Sequence, residues 1–300
     1  SLTKRYTDRA VRFLEENRQN PFFLYFAHTF PHSPQYASVE FDGKSHGGIY
    51  GDTVEELDWS VGRIIETLCR LDLDRNTFVF FTSDNGPSPG NPNRIVDGKP
   101  RYSGGSPGPL RGHKGLTWEG GMREPAIAWW PGTIAPGRET SQLASIADLF
   151  PTCATLAGTT VPNDRVIDGT DISGLLCDSE ESGPGDRFFC YYFGTQLQAV
   201  RDGRWKLILP ISDYPDQPQS LWYLVSPTLF QHQHRLFPKA ELYDLHEDIG
   251  ETRDRATEWP EIVEDLLRKA LAFDQGMQKD KRQPVWLECA QIPAMKPPAN

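Results

Sequence analysis

Asp84 and Asn85 place a carboxylate beside a side-chain amide, directly after the apolar run Phe78-Val79-Phe80-Phe81 and the pair Thr82-Ser83. Both offer hard oxygen donors of the kind that hold Ca²⁺ or Mg²⁺. Lys114, in Arg111-Gly112-His113-Lys114-Gly115, adds a cation on a glycine-rich loop. His32, in Pro31-His32-Ser33-Pro34, adds an imidazole, a side chain suited to general acid–base work. A metal, an ammonium and an imidazole around one cavity suit an anionic oxo-ester, a sulfate or a phosphate. The metal and Lys114 would neutralise the ester oxygens, and His32 would protonate the leaving oxygen. Each residue also has a structural use. Asp84-Asn85-Gly86 is a turn sequence, a histidine between prolines closes a turn, and most lysines are solvated. Local sequence alone leaves both readings open.

Other arrangements are excluded. His28 and His32 have the spacing of two zinc ligands on a helix, but Pro31 and the lack of a glutamate rule out a His-Glu-x-x-His site. Gly108 to Lys114 is too short for a phosphate-binding P-loop, and His113 precedes the lysine.

The elements that must position these residues alternate. Residues 3–18 read as a helix with Tyr6, Ala10, Val11 and Leu14 on one face. Phe22 to Ala27 reads as a buried strand that delivers His32 beyond its carboxyl end. A second helix carries the stripe Val54, Leu57, Val61, Ile64, Ile65 and Leu68. The strand before Asp84 follows, which gives the βαβ pattern of a parallel sheet; ligands of such sheets bind at the carboxyl ends of the strands. Residues 86–121, rich in Gly, Pro, Asn and Ser, read as a loop too long for an ordinary connection, of a kind that is commonly functional or disordered. Ala126 to Trp130 is a further strand and Ile146 to Ala157 a helix. Beyond about residue 185, short aromatic runs around Asp202-Gly203 predict a small antiparallel sheet. Residues 211–238 are a polar surface insertion, 241–245 a strand, and Pro260 to Phe273 a closing helix.

With 300 residues, 38% hydrophobic and 24% charged, the chain has an ordinary globular balance. A net charge of −10 argues against a nucleic-acid backbone as main partner. No apolar run is long enough to span a bilayer. The five cysteines (Cys69, Cys153, Cys177, Cys190, Cys289) include no Cys-x-x-Cys, which argues against a structural zinc. No Asn-x-Ser/Thr sequon marks N-glycosylation.

Four blocks together resemble the sulfatase family, within the alkaline-phosphatase-like superfamily. They are Pro21-Phe22-Phe23-Leu24-Tyr25 through Pro34; Tyr50-Gly51-Asp52 through Glu56-Leu57-Asp58; Phe80 through Asp84-Asn85-Gly86; and Gly112-His113-Lys114-Gly115 through Glu119-Gly120-Gly121-Met122-Arg123-Glu124-Pro125. Trp130-Pro131-Gly132, Asp148-Leu149-Phe150-Pro151-Thr152, Ile167-Asp168-Gly169, and Leu242 to Leu245 with Glu251 agree in order and spacing. The resemblance is greatest to the arylsulfatase A and N-acetylgalactosamine-6-sulfatase type. It implies an α/β fold with a mixed, mostly parallel sheet flanked by helices, plus a small C-terminal antiparallel sheet and helix. Residues 1–184 would be part of the catalytic domain and 185–300 a C-terminal subdomain. Asp84 and Asn85 would ligate Ca²⁺, with Asp84 also close to the nucleophile. Lys114 would bind the sulfate, and His32 would contact the ester oxygen and protonate the leaving alcohol. Glu119 and Arg123 would be scaffold.

The family nucleophile is a formylglycine made from the Cys or Ser of a C/S-x-P-x-R motif, and no cysteine here stands in that context. The family's Asp-Asp metal pair is also missing. Both precede the present residues in the family, so the expectation is a carboxyl-terminal portion, inactive by itself. The expected reaction is hydrolysis of a sulfate ester, with a small-molecule or glycan ester as partner. The expected compartment is exported (periplasmic or secreted) or lysosomal. A phosphatase or phosphodiesterase of the same superfamily, and a non-catalytic protein that binds sulfated glycans, are the alternatives.

Overall fold

The computed structural model describes residues 1–88, 91–96, 99–177, 182–183, 185–194, 196–212 and 237–280. They form two compact units. One is built from Ser1–Arg187 with Asp244–Arg253, the other from described residues within Phe188–Tyr243 and Asp254–Asn300.

The first unit opens with α1 (Leu2–Glu16), capped by Ser1, whose hydroxyl accepts from the Lys4 N–H at 3.2 Å. Its fully buried face is Thr3, Thr7, Ala10 and Leu14. Tyr6 and Val11, expected on that face, are only half-buried. The reason lies in α2 (Gly48–Arg70), which packs so close that the Thr7 and Ser60 hydroxyls meet at 2.6 Å. Only small side chains fit there.

The apolar stripe expected on α2 is largely half-buried, and Val54 is exposed. The fully buried positions are Asp52, Thr53, Glu56, Ser60, Thr67 and Leu68. The two carboxylates are anchors. Asp52 accepts from the N–H groups of Gly43 (2.9 Å), Lys44 (3.1 Å) and Ser45 (2.7 Å). Glu56 accepts from Ser38 N–H at 2.8 Å and from the Ser1 hydroxyl. A carboxylate so satisfied can stay out of water, and the pair fixes the loop that follows His32.

Phe22 to Ala27 is extended but has no ladder partner among the described residues. One face packs inward, with Phe22 edge-on to Phe13 at 5.9 Å. The other presents Phe23 and Tyr25 at 73% and 80% exposure. β1 (Val79–Thr82) pairs antiparallel with β4 (Ala126–Trp129), from Val79↔Trp129 to Thr82↔Ala126. The parallel ladder read from the alternation of elements is not among the described pairings. Chain leaving β1 returns to β4 without a crossover helix, since α3 (Glu119–Met122) is a single turn, and a parallel neighbour requires such a crossover. Within that excursion β2 (Asn91–Val96) and β3 (Lys99–Ser103) form an antiparallel pair. No structure was expected there, although the sequence Asp97-Gly98 between them is a hairpin signal.

α4 (Leu149–Leu156) and α5 (Ser173–Cys177) complete this unit. Asp148, fully buried, ties their surroundings together. It accepts from the N–H groups of Ser145 (2.6 Å) and Thr170 (2.7 Å) and from both terminal nitrogens of Arg187 (2.5 and 3.0 Å). The bidentate fork neutralises a charge that burial would otherwise penalise.

The second unit is a four-stranded sheet in the order β5 (Phe188–Phe193), β6 (Gln196–Asp202), β7 (Trp205–Ile208), β8 (Glu241–Asp244), with α6 (Pro260–Asp280). The turn at Asp202-Gly203 forms as expected: Asp202 pairs with Trp205 and Gly203 adopts φ 54°. Val200, Leu207 and Leu242 from the sheet pack with Leu266 and Ala270 of α6 as the core. Most of the polar 211–238 stretch lies outside the described residues, and Ile211 and Phe237 bridge at its ends. No helix among the described residues is long and apolar enough to cross a membrane.

Candidate active site

Beyond β1 the chain turns sharply through Ser83, Asp84, Asn85 and Gly86. Ser83 Oγ donates to the Asn85 carbonyl at 3.1 Å, and Asn85 Nδ2 donates to Asp84 Oδ1. Asp84 is exposed and Asn85 half-buried. Two backbone bonds stitch this turn to the lysine loop. Gly86 N–H donates to Gly121 O at 3.1 Å, and Lys114 N–H donates to Pro87 O at 3.0 Å. A side chain at Gly86 would be impossible without movement, because a Cβ would lie 1.9 Å from Gly120 O. Gly120 is as tightly held: its N–H reaches Arg111 O at 2.7 Å, and a Cβ there would lie 2.5 Å from the same oxygen. The structure thus brings Asp84, Asn85 and the Lys114 backbone into one neighbourhood.

The lysine loop rests on a buried support. Arg111 stacks on Trp118 at 3.7 Å and donates to Glu251 O at 2.7 Å. Glu119 N–H donates to Glu251 Oε2 at 2.8 Å. Arg123 lies 3.9 Å from the buried Glu119 carboxylate. Glu251 is fully buried with φ 51°, an uncommon conformation for a residue other than glycine. Its part in this support was not legible in the sequence, because the contact to Glu119 spans 132 residues.

Glu124 is a further acid of this neighbourhood that no sequence motif marks. Burial first, then the charge of Asp84, push its carboxyl up to about 7. Its Oε1 is buried without a hydrogen-bond partner. An acid beside an acid, with an unpartnered oxygen, is the electrostatic setting a cation relieves. Donor type at Asp84 and Asn85 therefore fits calcium. Donor number is smaller than the six to eight oxygens calcium takes, and the described residues hold no group of three or more His, Cys, Asp or Glu that could bind a metal alone.

The folded pKa of Glu124, about 7, lies above the ordinary 4.5. Between those values the fold keeps a proton that the unfolded chain has lost, so stability falls as pH rises through that window. Thermal melts in calcium-free buffer at about pH 5 and about pH 7.5 should show this fall for the natural chain. Glu124→Gln should flatten it.

His32 lies in the loop after the extended segment and is exposed. Its Nδ1 faces Ser33 O at 2.7 Å, so Nδ1 carries hydrogen and Nε2 is the basic nitrogen. None of the described hydrogen bonds joins His32 to Asp84, Asn85 or Lys114. A Cβ at Gly105 would meet Tyr50 Oη at 2.6 Å and Pro87 Cβ at 2.8 Å, so Tyr50 stands beside the turn that follows Asp84. Glu56, two turns along α2, holds Ser38 from the His32 loop. His28 is structural: its ring packs on Phe26 at 4.2 Å, Nε2 lies 3.3 Å from Ser60 Oγ, and burial lowers its pKa. His113 turns its Nδ1 to the Lys114 carbonyl at 2.9 Å.

The family model described as Sulfatase matches residues 1–159. Mouse N-acetylgalactosamine-6-sulfatase is 48% identical over 208 residues, which are 69% of this chain and 38% of that protein. Mouse steryl-sulfatase is 43% identical over 202 residues, 67% of this chain and 31% of that protein. The chain thus spans well under half the length of these relatives. A solved structure from work on glycosaminoglycan metabolism by Bacteroides thetaiotaomicron superposes with a TM-score of 0.72 at 27% identity, covering 91% of this chain and 54% of that one. The PsFucS1 sulfatase from Pseudoalteromonas sp. superposes with a TM-score of 0.75 at 23% identity, covering 93% of this chain and 53% of that one.

Proposed function

This chain belongs to the sulfatase family, and we propose that it supplies the lysine, the imidazole and part of the metal site of a sulfuric ester hydrolase. Its fold is the α/β, alkaline-phosphatase-like one of its sulfatase neighbours. The observation that carries the reading is the pair of backbone bonds, Gly86 to Gly121 and Lys114 to Pro87, that hold a carboxylate–amide pair next to a lysine loop.

In this reading Lys114 binds a sulfate oxygen and offsets charge on the ester. His32, as imidazolium, gives its Nε2 proton to the leaving alcohol oxygen. Asp84 and Asn85 hold calcium, which when bound polarises the ester oxygens. Asp84 also orients the nucleophile. That nucleophile, a formylglycine, and the remaining calcium ligands lie outside residues 1–300. The substrate is a small-molecule or glycan sulfate ester, in an exported or lysosomal compartment. The polypeptide that contains these residues and the nucleophile is called the complete protein below.

The test compares sulfate released from 4-nitrophenyl sulfate with phosphate released from 4-nitrophenyl phosphate. The complete protein should prefer the sulfate ester. Residues 1–300 alone should release neither. Preference for the phosphate ester, or steady turnover by residues 1–300, would contradict the assignment.

A further inference from the structure

We infer that Glu124 stands beside Asp84 as a second carboxylate of the calcium site, a positioning residue that tightens the hold on the cation; this rests on the calcium reading of Asp84 and Asn85 above. The sheet register brings the two acids to one place. The last pair of the β1–β4 ladder is Thr82↔Ala126, and Asp84 and Glu124 each lie two residues beyond it at the same end. On the ladder side of the acids, Thr82 Oγ1 donates to Pro125 O at 3.0 Å. On their far side, Gly86 N–H donates to Gly121 O at 3.1 Å. Both acids thus lie between the same two cross-chain bonds. The backbone cannot spread between them, because Gly86 already stands against Gly120 O with no room for a Cβ.

No cation among the described residues serves Glu124. Its Oε1 is buried and has no hydrogen-bond partner there. Arg123, the adjacent cation, is turned to the Glu119 carboxylate at 3.9 Å. The charge that acts on Glu124 is that of Asp84. A buried acid left in this setting costs stability. Two neighbouring carboxylates repel, and a divalent ion between or beside them relieves the repulsion. The charge a site gathers in turn sets how tightly it holds Ca²⁺. Glu124 has no such use toward an anionic ester, which it would repel. Its effect on the reaction therefore passes through the metal that Asp84 and Asn85 hold.

The experiment titrates calcium into the metal-free complete protein by calorimetry, in the natural chain, Glu124→Gln, Glu124→Asp, Asp84→Ala and Glu139→Gln. Melting curves in calcium-free buffer accompany it. Glu124→Gln should bind calcium about 10–100-fold more weakly than the natural chain, the usual cost of losing a residue that supports a metal ligand. Glu124→Asp keeps the charge and should recover most of the affinity. Glu139→Gln removes an exposed charge elsewhere and should leave the affinity unchanged. Without calcium, Glu124→Gln should melt no lower than the natural chain, because a like charge beside Asp84 is gone. Unchanged calcium affinity in Glu124→Gln, with affinity lost in Asp84→Ala, overturns the role of Glu124 alone. So does a Glu124→Gln variant that melts well below the natural chain without calcium, since Glu124 is then scaffold. A natural chain that binds no calcium, or an Asp84→Ala variant that binds it as tightly, overturns the calcium reading and the role of Glu124 with it.

Discussion

Gly86→Ala is expected to destabilise the complete protein by about 3–5 kcal/mol, in the range of severe overpacking in a site that cannot relax. The new methyl would lie 1.9 Å from Gly120 O, and that oxygen belongs to backbone that cannot swing aside. Gly120 is itself fixed by its N–H to Arg111 O and by the approach of Arg111 and Gly112 carbonyls. Moving either strand of this contact separates Asp84 from the lysine loop, so activity and stability should fall together. Gly62→Ala is the control. It sits within α2 with nothing within 4 Å of a Cβ, so it should be neutral or should stabilise by up to about 1 kcal/mol through helix propensity. Urea denaturation of both variants checks the contrast, and a Gly86→Ala loss below about 1 kcal/mol would contradict the packing argument.

Lys114→Ala should lower kcat/KM of the complete protein for a sulfate ester by about 10²–10³-fold, the usual loss when one preorganised charge-stabilising group is removed. Stability should hardly change, because the contact that docks the loop is the Lys114 backbone N–H to Pro87 O, which alanine keeps. The two measurements separate a charge role from a packing role. A fall in melting temperature that parallels the lost activity would mean that Lys114 is scaffold. A loss below ten-fold in kcat/KM would mean that its ammonium does not face the ester.

The parts of this site that could be read from sequence are those set by local geometry. The run Phe78 to Phe81 stops at Asp84-Asn85-Gly86 because a polar pair and a glycine follow an apolar strand, and the structure puts the turn there. Asp202-Gly203 marks its hairpin for the same reason. Contacts across long separations were not readable. Glu251 supports the lysine loop from 132 residues away, and no spacing rule connects it to Glu119. On the packed faces of α1 and α2 hydrophobicity does not track burial. Asp52, Glu56, Thr7 and Ser60 are buried instead, as hydrogen-bonded anchors and small contact residues. Phe22 to Ala27 has strand composition, yet composition does not say what pairs with it, and Phe23 and Tyr25 remain open to solvent.

In the proposed reading the carboxylate at the end of β1 is the point where metal binding and nucleophile orientation meet. The most direct measurement is the rate of sulfate release from 4-nitrophenyl sulfate by the complete protein and by its Asp84→Ala variant, in calcium-containing buffer. Melting curves should confirm that both are folded. The predicted result is a loss of about 10³-fold or more in Asp84→Ala, since a metal ligand and a charge-orienting group disappear together. Turnover by a folded Asp84→Ala variant within ten-fold of the natural protein would contradict the account, and would place the sulfate ester somewhere other than between Asp84, Lys114 and His32.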